Sequence, residues 1–180
     1  MDKEARFFER IVRTHYWQKM PGVTEQIPFG NRTFFSKYKR VDAPLTDALI
    51  HGHRAHRLTL AHDLVAADGT VAHIVIDYNG DAPKHFYHHA GKVLHALGYD
   101  DLVTFRSKTE MHLHLYIACG NIALQHAVEM GKIISQKLEE KMNRQWRVFP
   151  TDAVPDAYNI MNLPYALFTL NTTKGACHEG

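Results

Sequence analysis

Cysteine is scarce: Cys119 and Cys177 are the two in 180 residues, and they do not form a Cys-x-x-Cys pair. That spacing excludes a dense disulfide framework and a thiolate metal centre, and it suits a reducing cytosol. Long apolar runs are missing too. No stretch approaches the roughly 18 consecutive apolar residues of a membrane-spanning helix. The start "MDKEARFFERIVRTHYW" is acidic and then amphipathic, unlike a secretory leader. A cytoplasmic protein with no membrane partner is the expectation. Net charge is small, at +2, so bulk electrostatics does not announce nucleic acid. A hydrolase triad, a Walker loop and a dinucleotide fingerprint are all absent; "HAGKVLHALG" lacks their glycine spacing and the strand that should precede it.

What the chain does have is apolar and aromatic material, 45% and 11% of residues, enough for one sizeable core; a single domain over 1–180 is expected. Phe7, Phe8, Ile11, Val12, Tyr16 and Trp17 recur at helical spacing and predict a helix over 1–20 that ends before Pro21-Gly22. "RTFFSKYKR" is short, aromatic and basic, and "APLTDALIHGH" reads as a short helix. The runs "HRLTLAHDLVA" and "VAHIVIDY" alternate with period two around Asp68-Gly69, which predicts a hairpin. A helix starting near Pro83, the strand "DLVTF", a second strand in "MHLHLYIACG", a long amphipathic helix with Asn121 as its N-cap and the strand "RQWRVF" follow. This order predicts an α+β fold, a largely antiparallel sheet backed by helices.

Two stretches carry candidate chemistry. In "VAHIVIDYNG", His73, Val75, Asp77 and Asn79 share one strand face, with Asp77 at the strand end where a ligand can approach. A carboxylate followed two residues later by another oxygen donor suits Mg²⁺ or Mn²⁺, which takes a few hard oxygen ligands and completes its shell with water and phosphate. In "FRSKTEMHLHLYI", Leu113, Leu115 and Ile117 occupy one face, while His112, His114 and Tyr116 occupy the other. That second face is either the polar outside of a half-buried strand or a binding surface.

The run "LTDALIHGHRAHRLTLAHDLVAADGTVAHIVIDYNG", then "FRSKTEMHLHLYI", then "VFPTDAVPDAYNIMNLPYALFTLNTTKG" resembles the catalytic module of archaeo-eukaryotic primases, the prim-pol fold, from about residue 45 to 175. The resemblance implies that Asp77 and Asn79 stand where a metal-holding pair of acids ends its strand. It implies Asp152, or Asp156, as a third acid. It further implies that Arg106, Ser107 and Lys108 lead to a phosphate-contacting histidine, His112 or His114, with Lys174 near the end as another phosphate contact. A nucleoside triphosphate with Mg²⁺ or Mn²⁺ is the implied ligand, with single-stranded nucleic acid as a further partner. The chain also resembles a small uncharacterised protein family of Helicobacter and its relatives, which implies no activity.

The departures shape the functional expectation. Position 79 is Asn where an active member has Asp, the loop "SKTEM" has no glycine to wrap phosphate, and Glu110 brings a negative charge to it. A nucleotide-binding prim-pol relative with weak or lost polymerase activity is therefore expected over an active primase-polymerase. The rival from another class is a transition-metal protein built on His85, His88 and His89, spaced i, i+3, i+4 on a helix, with His51, His53 and His56 as a second cluster. The basic stretch Arg32, Lys37, Lys39 and Arg40, interleaved with Phe34, Phe35 and Tyr38, is either a solvated loop or a surface for phosphates and stacked bases.

Overall fold

The computed structural model describes residues 2–170. Its elements run α1 (Lys3–Arg10), β1 (Tyr16–Lys19), β2 (Glu25–Phe29), β3 (Arg32–Ser36), β4 (Tyr38–Val41), α2 (Asp47–Arg54), β5 (Leu60–Asp63) and β6 (Thr70–Tyr78). They continue with α3 (Pro83–Ala96), β7 (Leu102–Arg106), β8 (Leu113–Ala123), α4 (Leu124–Glu139), β9 (Trp146–Phe149) and β10 (Ile160–Asn162). The α+β class and the antiparallel sheets expected from the sequence are present.

Two four-stranded sheets form the body. The second half supplies β7-β8-β6-β9, every neighbour antiparallel. Its chain order, β6-α3-β7-β8-α4-β9, is a pair of interleaved split βαβ units. Period-two alternation gives this sheet two buried faces. Ile74, Ile76, Leu113, Leu115 and Ile117 meet Phe86 and Leu94 of α3 and Ile134 and Leu138 of α4. Val75, Phe105 and Tyr116 face the other way, against Phe7 of α1, Ile50 of α2, Leu60 and Met161 of the first sheet and Leu163 just past β10. That first sheet has the order β10-β5-β1-β4.

Helix α3 begins with Pro83 in its first turn, where a missing N–H costs nothing. Helix α4 is pinned to the sheet by Trp146, whose buried Nε1–H donates to Ser135 Oγ at 3.0 Å. Ser135→Ala removes the acceptor and strands a buried donor, so it should cost about 1–3 kcal/mol in urea unfolding. A loss near zero would show that the indole has another partner.

Three sequence expectations are corrected. The first helix stops at Arg10, and Tyr16 and Trp17 belong to β1, where backbone pairing to β4 and β5 outweighs their helical spacing. The Asp68-Gly69 turn exists, with Gly69 at φ 80° and a bridge between Val65 and Val71, but its flanking strands do not form a hairpin. β5 is buried at all four positions and pairs with β1 and β10 instead. A hairpin, β2-β3, pairs the basic aromatic stretch, whose pattern suits a strand or turn, with a strand the sequence did not announce, Glu25–Phe29. Asn121 is not an N-cap: it adopts φ 57° beside Gly120 inside β8, and α4 begins three residues later.

Candidate nucleic-acid interface

Register brings the candidate residues together. Asp77 of β6 lies opposite His114 of β8 on one side and opposite Arg147 of β9 on the other. Its carboxylate is 3.4 Å from His114 Nε2 and 3.2 Å from Arg147 Nη2. Asp77 and His114 are 7% and 5% exposed, whereas the Arg147 side chain is largely in solvent. Burial pushes the Asp77 carboxyl up, but the contact with His114 and then the charge of Arg147 outweigh it and hold the group below the usual carboxylate range. Asp77 is an anion held between two of the protein's own bases.

The polar face of β8 is therefore neither solvent-exposed nor an open binding surface. His114 and Tyr116 look into the layer between the two sheets. Tyr116 hydrogen-bonds to His62 at 2.9 Å, and both are fully enclosed. His73 packs its ring against Phe7 and Tyr116 in the same layer. Burial lowers His62 to about 3 and His73 to about 4, so both imidazoles are neutral at pH 7. Nearby, His15 and Asp63 form a second buried pair. This polar layer was not foreseen, because alternation assigns a face without saying what covers it.

The other residues singled out in the sequence are dispersed. Asn79 is exposed and turns its side-chain amide back to the Asp77 carbonyl at 3.3 Å. Asp152 follows β9 past Val75, away from Asp77, and pairs in solvent with Lys132 at 2.7 Å. Asp156 is exposed in a short 3-10 turn. Arg106 lies opposite Leu113 and stacks on Phe168 with its guanidinium 5.0 Å from the ring, which puts it on the α3–α4 side of the sheet, opposite Asp77. Its Nη1 donates to the Glu110 carbonyl at 3.0 Å. Ser107 donates its backbone N–H to the His112 carbonyl, closing an exposed loop that carries Lys108. His112 is half-buried just before β8. Lys174 lies outside the described residues.

This donor set does not fit the divalent pair that the sequence resemblance implies. Asp77 is the sole acid on its stretch of sheet, its second neighbour is an amide, and the position across the β9 ladder is a cation. Among the described residues no three histidine, cysteine or carboxylate side chains are placed to share a metal ion.

Arg147 instead belongs to a groove of about 470 Å³ between the β2-β3 hairpin and β9, lined by Arg32, Phe34, Phe35, Arg144 and Phe149 among others. No carboxylate lines it. Tyr158 fixes the hairpin by packing its ring on Phe34 and Trp17 and donating its hydroxyl to Glu25. Phe35 is 56% exposed, and the Arg147 guanidinium sits 5.5 Å from the Phe149 ring. Arg32 and the two phenylalanines were legible as a basic aromatic stretch; Arg144 and Arg147 were not, since only tertiary pairing brings them there.

Comparison with known proteins agrees at the level of fold. The polymerase domain of ligase D from Mycobacterium tuberculosis, solved in complex with DNA, matches 88% of this chain and 70% of its own, with a TM-score of 0.54 and 14% identity. Residues 8–79 match a domain of unknown function, DUF1882. No curated protein sequence matches the chain.

Proposed function

We propose that this chain is a nucleic-acid-binding relative of the polymerase fold, one that holds nucleotide phosphates with arginine rather than with metal and has lost polymerisation. The observation that carries this reading is the groove itself: three arginines and three phenylalanines line it, and the arginine nearest the candidate catalytic carboxylate is bonded to that carboxylate. Arginine forks match phosphate oxygens, and exposed aromatic faces accept bases of any sequence, which is the chemistry of single-strand recognition. The groove's volume is that of a site for a small ligand or one nucleotide of a strand. Nucleoside triphosphate would bind by the same contacts, with fewer of them. The DNA in the ligase D structure makes nucleic acid the natural partner to test.

Phosphoryl transfer needs charge neutralised and oxygens held in line by metal-bound carboxylates. Here Asp77 is already neutralised internally, so binding survives without the chemistry. The test is fluorescence anisotropy with a labelled single-stranded oligonucleotide, run in EDTA and again in Mg²⁺, beside a primer-extension assay. Binding that weakens steeply with salt, is indifferent to EDTA and is competed weakly by nucleoside triphosphate is the expected result, with no incorporation. Binding that requires Mg²⁺, or robust template-dependent extension, would overturn the proposal and restore the active polymerase.

A further inference from the structure

On the helical side of the molecule, across the sheet from Asp77, α3 and α4 leave a hollow of about 540 Å³ between them. Its floor is apolar, made by Val93, Ala96 and Leu97, and its rim carries Lys92, Lys137 and Lys141. The one acid on the rim, Glu140, is tied to Lys137 at 3.4 Å. Lys92 and Lys141 have no anionic partner among the described residues.

His89, also on the rim, has its imidazolium disfavoured by burial first and then by His85, His88, Lys92 and Lys141. The rings of His85 and His89 stand 4.3 Å apart, but among the described residues no group of three histidine, cysteine or carboxylate side chains is placed to hold a metal ion there.

We infer that this hollow is a docking site for an acidic amphipathic peptide segment of a partner protein. An apolar floor with Lys92 and Lys141 uncompensated on its rim complements one or two apolar side chains flanked by carboxylates, the pattern of a helix laid into a groove. The apolar contact supplies the affinity, and the lysines select against basic or neutral segments and speed encounter. The site is independent of the arginine groove and of its function, because it lies on the opposite face of the sheet.

The experiment is an anisotropy titration of the full chain against a labelled glutamate-rich peptide with two leucines one helical turn apart. Saturable binding is expected, weakened about tenfold or more by the double variant Lys92→Glu with Lys141→Glu, and likewise by Ala96→Glu, an exposed position where the larger residue does not threaten the core. Arg147→Ala should leave it unchanged, and thermal melts of each variant report whether the fold is intact. Equal binding of a peptide with serines in place of the leucines would overturn the proposal, because the floor would then contribute nothing. So would failure of the peptide alongside lysine-dependent binding to phosphatidylglycerol vesicles, which would make this face a membrane surface. Binding of Zn²⁺ that is lost in His85→Ala and His89→Ala, with no peptide binding, would restore the metal reading.

Discussion

Stability should fall steeply between about pH 6.5 and pH 4, well before most carboxylates titrate. Three buried histidines set this. His62 is lowered to about 3, and His53 and His73 to about 4, in each case chiefly by burial. For His53 the geometry gives the same answer: its Nδ1 accepts the Leu60 N–H at 3.0 Å while its Nε2–H donates to the Leu163 carbonyl at 2.7 Å, so only the neutral ring satisfies both. A depressed basic group binds fewer protons folded than unfolded. Above about pH 6.5 both states leave these rings neutral and nothing changes. Below it the unfolded chain takes up protons that the folded chain refuses, so stability drops as pH falls, until the folded rings themselves titrate near 4 and 3. With three protons in play the slope near pH 5 is about 4 kcal/mol per pH unit. A domain of this size holds roughly 5–15 kcal/mol in total, so by pH 4 this loss should remove most of its stability. Urea titrations at several pH values measure the slope directly. His73→Leu should reduce it by about one proton's worth, roughly 1.4 kcal/mol per unit. A flat profile from pH 7.5 to 5 would mean that these rings are not enclosed as their near-zero exposure requires, and that the inter-sheet layer opens to protons.

That layer marks the limit of what one sequence discloses. The strand parity that set His114 and Tyr116 opposite Leu113 and Leu115 was correct, and the motif order that named Asp77 and the histidine strand together matches their pairing in one sheet. Both follow from period two and from motif order. What parity cannot supply is the second sheet, built from β1, β4, β5 and β10, strands of three or four residues too short to carry a clear signal. The Asp68-Gly69 turn shows the same limit. A local hairpin signal was real as a turn and wrong as a pairing, because β5 gains more from burial between β1 and β10 than from pairing with β6. Arg147 was visible as a charge in an alternating strand, but its register against Asp77, 70 positions earlier, is a tertiary fact. Asp152 looked like the missing acid because sequence order preserves the succession of motifs and not the end of the strand on which each one lands.

Arg147→Ala should weaken oligonucleotide binding, and Asp77→Asn should not. Arg147 is one of three arginines in the groove, and its guanidinium donates to Asp77 while most of the side chain stays exposed. Removing it deletes a charge-assisted contact of about 1.5–3 kcal/mol and leaves the Asp77 carboxylate less compensated beside the phosphates, so the Kd should rise about tenfold to a hundredfold. The salt dependence should also become shallower, by about one released counterion. Asp77→Asn keeps the shape of the side chain and removes the anion that competes with phosphate for Arg147. Affinity should then hold or increase, with a shift in pH 7 stability as the only cost, since His114 loses its charged partner. A metal-dependent polymerase predicts the reverse for this second variant, because its first carboxylate is the metal's anchor. Anisotropy on both proteins in EDTA, at one fixed salt concentration, separates the two. If Asp77→Asn abolishes binding while its melting curve stays cooperative, Asp77 contacts the ligand assembly directly and Arg147 is not standing in for a metal. If it binds as well as the unmodified chain or better, the carboxylate's remaining task is to aim an arginine at phosphate.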